Sequence, residues 1–218
     1  MPQVTPQLTF GSCIHSVIEQ ITTEYGSAEA QKAKALSLLD SLWQPDSYEN
    51  KTQGQEYRAS ADELIDTYLS WQENNPNTVA EIEKEFRFPF AGRMMHGFID
   101  RVERTPEGKY VVIDFKSGKK PGDITKKSLP ENIQLNIYAL AVQALYGELP
   151  ERTTLFFIRD NKTVDYLPME SSIAAFSATL EEMVKGITSE QFLPLPDFQI
   201  CKWCPYGYLC EVKEIDES

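Results

Sequence analysis

The chain has 218 residues, 41% of them hydrophobic and 25% charged, a globular balance that excludes global disorder. Its 33 acidic residues outnumber 21 Lys and Arg, and the net charge of −12 argues against general affinity for nucleic acid, which draws on basic side chains. No run approaches the ~20 apolar residues of a membrane helix and no secretory leader is recognisable, so the expectation is a cytoplasmic chain with no membrane contact.

Residues 9–25 are predicted as a helix opening near Thr9 and Gly11, with Ile14, Val17, Ile18 and Ile21 at helical spacing. Helices are also expected over 28–43 and 57–73, around a polar, turn-like stretch at 44–55. From residue 79 the pattern changes to strands. Val79–Pro89 places Ile82, Lys84, Phe86 and Phe88 on one face and Glu83, Glu85 and Arg87 on the other; Met94–Arg104 and Lys109–Lys116 follow. Between the last two, Thr105-Pro106-Glu107-Gly108 fits a type I turn closed by a left-handed glycine. Thr105 then pairs with Lys109, paired positions sum to 214, and Asp100 falls opposite Asp114.

Asp114 and Lys116 are two apart, so the alternation predicts that Asp100, Asp114 and Lys116 leave one face of the sheet. Facing carboxylates repel unless something positive lies between them. Lys116 supplies part of that charge and a divalent cation supplies it better, with the Phe115 carbonyl as a further ligand. Such a site suits phosphodiester hydrolysis. The competing reading is a solvated strand face carrying an ordinary Asp/Lys ion pair.

A basic Gly/Pro loop occupies 117–127, and Lys116, Lys119, Lys120, Lys126 and Lys127 make the densest basic cluster. A helix is predicted over 129–146, with Ser128–Glu131 as a capping box and Gly147 as its stop. Strands over Thr153–Arg159 and Lys162–Pro168 turn at Asp160-Asn161, and a helix over 172–187 leads to the Pro-rich stretch 194–196. Cys201, Cys204 and Cys210 form C-x2-C-x5-C, a spacing that suits zinc or an iron–sulfur cluster, while Cys13 stands alone. The fold class is α/β: one domain over 1–218, with a helical N-terminal part (9–75), a core (79–190) and a Cys-rich tail (194–213). The core combines a three-strand meander and a crossover helix in a mixed central sheet.

Gly97-Phe-Ile-Asp100-Arg-Val and Val112-Ile-Asp114-Phe-Lys116-Ser-Gly-Lys119 resemble the core of the PD-(D/E)XK nuclease superfamily, in its RecB-like branch. Gly11-Ser-Cys-Ile-His15-Ser-Val-Ile-Glu19 resembles that branch's Gly-x3-His-x3-Glu helix, and Gln134-Leu-Asn-Ile-Tyr138 its Gln-x3-Tyr helix. The three tail cysteines are similar to those closing its iron–sulfur members, such as the AddB-like proteins. The resemblance spans residues 11–210 and implies a restriction-endonuclease-like core. It implies a Mg²⁺- or Mn²⁺-dependent DNA nuclease, an exonuclease of recombination or repair, working beside a helicase subunit or domain.

By the same resemblance, His15, Asp100, Asp114 and Phe115 would hold the metal. Lys116 would be the catalytic lysine, and Gln134 and Tyr138 would border the site. Lys119, Lys120, Lys126 and Lys127 would meet DNA. Cys201, Cys204 and Cys210 would hold a 4Fe–4S cluster, with zinc or no cluster as alternatives. The family's first cysteine lies upstream of the His helix. Here only Cys13 is available, roughly 200° around that helix from His15. A rival reading is a non-catalytic module that binds DNA ends or a helicase partner, structured by a cysteine-ligated metal.

Overall fold

The computed structural model describes residues 5–23, 26–125, 127–192, 194, 196–197, 201, 204 and 206–211. They form two compact units, Met1–Ser177 and Ala178–Ser218. The first begins with α1 (Pro6–Thr22), α2 (Ala28–Leu42) and α3 (Lys51–Glu73). Helix α1 starts earlier than the periodicity suggests, because Thr5 accepts the Leu8 N–H as N-cap and Pro6 occupies the first turn. Likewise Asn50 caps α3 at Gln53, which draws residues 51–56 out of the expected loop and into the helix.

Five strands follow in sheet order β1-β2-β3-β4-β5: β1 (Thr78–Phe90), β2 (Arg93–Arg104), β3 (Tyr110–Lys116), β4 (Arg152–Phe157) and β5 (Lys162–Tyr166). All neighbours are antiparallel except β3 and β4, which run parallel and are joined through α4 (Ile133–Tyr146). A mixed sheet with a meander and a crossover helix is therefore what the chain builds. The β2–β3 turn closes as its residues dictate: Gly108 takes φ 81°, its N–H reaches the Thr105 carbonyl, and the Thr105 N–H donates to the Lys109 carbonyl. Pairs Arg101/Ile113 to Arg104/Tyr110 keep the expected sum of 214.

Alternation on β3 and β4 splits the core into two layers. Val111, Ile113, Phe115 and Phe156 pack with α1, α2 and α3, whereas Val112, Leu155 and Phe157 pack with α4. The capping box at Ser128 is not formed. Leu129–Glu131 make a 3₁₀ turn, Ser128 bonds back to Asp123 and Thr125, and Asn132 caps α4 at Leu135. A second 3₁₀ turn, Ile158–Asp160, ends β4 before the predicted Arg159. Helix α5 (Glu170–Thr188) begins in the first unit. No helix among the described residues is long and apolar enough to cross a membrane.

Candidate active site

Three elements converge at one end of the sheet: α1 brings His15, β2 Asp100, and β3 Asp114 and Lys116. Asp114 is 2% exposed and lies on the α4 side of the sheet. Its Oδ2 is 2.6 Å from Lys116 Nζ, and its Oδ1 accepts from the Tyr138 hydroxyl at 3.3 Å. Gln134 donates to Tyr138 at 2.9 Å and accepts from Lys116 at 3.1 Å, so the pair one turn apart on α4 closes a ring around Asp114 and Lys116. Burial, then the charges of Asp114 and Asp100, push the Tyr138 phenol far above its ordinary range, which keeps it a proton donor.

Asp100 does not leave the sheet as simple alternation predicts. Ile99 packs in the α4 layer and Arg101 against α3, although they are only two apart. Beside them on β1, Glu83 takes φ 45°, with Ile82 paired to Arg101 and Lys84 to Ile99. Ile82 therefore does not share a face with Lys84, Phe86 and Phe88. Both strands change face at this point with their register unbroken; the register shift of this pair lies further along, between Val79 and Glu81. Asp100 sits at the crossing, and its Oδ2 accepts the Phe115 N–H at 2.8 Å and lies 3.6 Å from His15 Nδ1.

The phase change gathers a ligand that the strand pattern placed merely opposite Ile82, Lys84, Phe86 and Phe88. Donor atoms of His15, Glu83 and Asp100 lie within 4.8 Å of one another, and they are the one such three-residue group among the described residues. Only the left-handed backbone at Glu83 could have revealed this, and nothing in the residue type signals it. Burial and the neighbouring Asp114 raise the Asp100 carboxyl from 3.8 to about 7, while the Phe115 N–H and Lys116 pull the other way. Glu83 is raised by burial, then by Asp100 and Glu19. Burial of His15 lowers its pKa from 6.5, leaving a neutral imidazole that can offer a lone pair. Crowded carboxylates that resist ionisation, joined by a neutral imidazole, are a donor set that could hold a divalent cation.

A cleft of about 470 Å³, lined by Asp114, Lys116, Lys119 and Gln134, opens on one side of this group. Another of about 450 Å³ opens on the side of Glu83 and Glu19, and both are lined by His15 and Asp100. A larger cleft, about 570 Å³ beside Lys32 and Asp66, gathers no such donor set among the described residues. Of the basic cluster, Lys119 is exposed at the cleft and Lys127 is exposed but does not line it. Lys120 is held through its backbone N–H by Asp160, and Lys126 lies outside the described residues. Cys13 is buried among the apolar residues of α1, α2 and α3. In the second unit the Cys204 N–H bonds to the Cys201 carbonyl and the Gly207 N–H to the Cys204 carbonyl, which makes a tight turn.

The profile of the PD-(D/E)XK nuclease superfamily matches residues 1–211. The chain belongs to that superfamily. It is 28% identical over 163 residues to the Gene 69 protein of Mycobacterium phage D29, covering 69% of this chain and 57% of that protein. The corresponding protein of Mycobacterium phage L5 is 27% identical over 172 residues, with 74% and 56% covered. The chain thus spans somewhat over half the length of these curated relatives. A solved structure from Eubacterium rectale, described provisionally as an exonuclease, shares the fold with a TM-score of 0.50 at 13% identity, over 89% of this chain and 79% of that one. Membership places the chain in a superfamily whose nucleases use divalent metals.

Proposed function

We propose that this PD-(D/E)XK nuclease is a Mg²⁺- or Mn²⁺-dependent deoxyribonuclease of the RecB-like branch, an exonuclease of recombination or repair in the cytoplasm. The observation that carries the reading is the convergence of His15, Asp100, Asp114 and Lys116 from three separate elements beside a cleft edged by Lys119. His15, Asp100 and Asp114 would hold the metal with the Phe115 carbonyl, and Glu83 would join His15 and Asp100. The metal, when bound, polarises the phosphate and lowers the pKa of a water. Lys116, fixed between Asp114 and Gln134, presents its ammonium to the phosphate oxygens as negative charge develops there. Tyr138 and Gln134 hold that geometry from α4, and the exposed Lys119 draws the phosphate backbone toward the cleft.

The C-x2-C-x5-C spacing supports a cysteine-ligated metal in the tail, an iron–sulfur cluster or zinc, and a helicase partner follows from the same resemblance. Purified protein incubated with end-labelled linear and circular DNA, single- and double-stranded, and with RNA, tests the main reading in Mg²⁺, Mn²⁺ and EDTA. Metal-dependent loss of label from linear DNA with circles spared is expected, and Asp114→Ala should abolish it. Absence of cleavage with either metal would leave the non-catalytic binding module standing.

A further inference from the structure

Arg101 and Glu103 form an ion pair, Nε to Oε1 at 2.6 Å, at 2% and 0% exposure. Two charges taken so far from water are expensive, and replacing such pairs by neutral residues of similar volume is often neutral or stabilising. Their contribution is therefore better sought in geometry than in stability. Arg101 Nη1 donates to Tyr68 Oη and Gln72 Oε1 on α3, both at 3.0 Å, and the guanidinium lies 5.1 Å from the Trp71 ring centre. Glu103 accepts from Asn75 at 2.7 Å and Asn77 at 2.9 Å, in the connection from α3 to β1.

This network touches three of the four elements that carry the proposed ligands, α1, β2 and β3. Arg101 directly follows Asp100 in the chain. The Tyr68 hydroxyl bonds to Thr22 on α1, two turns beyond His15, and the Tyr68 ring meets Phe115 edge-on at 5.5 Å. Arg101 reaches toward α3 while Ile99 packs in the opposite layer, so β2 turns over at Asp100, between them.

We propose that Arg101 and Glu103 are positioning residues: their buried pair, anchored on α3, sets the phase change of β2 that brings Asp100 to His15 and Glu83. The inference rests on the nuclease reading of that site. Partners that hydrogen-bond metal ligands tune metal affinity by about 10- to 100-fold, and this pair acts one contact further out, through the course of β2.

The test is the double variant Arg101→Met/Glu103→Gln, which removes both charges at nearly constant volume. Melting in EDTA, Mn²⁺ affinity by calorimetry and the Mg²⁺ dependence of cleavage are measured against wild type. A metal-free melting temperature within a few degrees of wild type is expected, with Mn²⁺ binding weakened at least ~10-fold and the Mg²⁺ requirement raised in step. A folded double variant that binds Mn²⁺ like wild type overturns the proposal. Should that variant not fold, Arg101→Lys is read the same way. It keeps a charge for Glu103 but not the fork to Tyr68 and Gln72, so unweakened Mn²⁺ binding there is equally fatal. Wild-type protein that neither binds Mn²⁺ nor cleaves overturns the nuclease reading as well, an outcome visible before any variant is compared.

Discussion

Replacing Asp100 by Asn should stabilise the metal-free protein at neutral and alkaline pH while removing its response to metal. The side chain is 15% exposed, and burial beside Asp114 raises its pKa from 3.8 to about 7. Between those values the folded state holds a proton that the unfolded state has lost. Stability therefore falls as pH rises through this window, and above it the full penalty of burying the carboxylate is present. That penalty is about 4 kcal/mol at pH 8, converting the interval at 1.36 kcal/mol per pH unit, and shrinks below ~1 kcal/mol near pH 4.

Asn carries no charge in either state and keeps an oxygen for the Phe115 N–H, so it escapes the penalty. Urea unfolding in EDTA across pH 4–8 should show Asp100→Asn gaining on wild type as pH rises. Because metal binding competes with that proton, Mg²⁺ should stabilise wild type increasingly up to about pH 7 and leave the variant unmoved. A variant no more stable than wild type at pH 8, or a difference independent of pH, would refute the argument.

Gly97→Ala should destabilise the fold by about 1–3 kcal/mol in urea, because a Cβ there would lie 2.6 Å from Cζ of Phe86, a buried ring packed edge-on to Tyr138; an unchanged midpoint would show that the ring yields freely. Tyr138→Phe removes the hydroxyl between Gln134 and Asp114, so a loss of about 1 kcal/mol in their hold should slow cleavage by roughly 5- to 10-fold with the fold retained. Full activity in that variant would free Tyr138 of any part in the site. Lys119→Gln should reduce the slope of log K for DNA against log salt by about one, and an unaltered slope would route the nucleic acid away from this cleft.

Much of this architecture is written in local chemistry. Pro106 and Gly108 specify their turn, the turn fixes the β2–β3 register, and period-two patterning on β3 separates the two core layers. The proposed site residues Asp100, Asp114 and Lys116 are therefore legible in residue order alone, as is the pairing of Gln134 with Tyr138. Boundaries are less legible, since Asn132 and Ser128 are both competent caps and only the 3₁₀ turn between them decides that Asn132 is used.

The assembly of the metal group is another matter. Glu83 reaches His15 and Asp100 because two strands change phase together, and that irregularity is paired with a buried Arg101–Glu103 contact to a helix some 30 positions earlier in the chain. In sequence, Glu83 stands only opposite Ile82, Lys84, Phe86 and Phe88, and the residue types of Arg101 and Glu103 do not signal their pairing. Side-chain alternation is a property of neighbouring residues and propagates along a strand by itself. Where it breaks is set by what packs across it, and that is decided only when α3 is laid against the sheet.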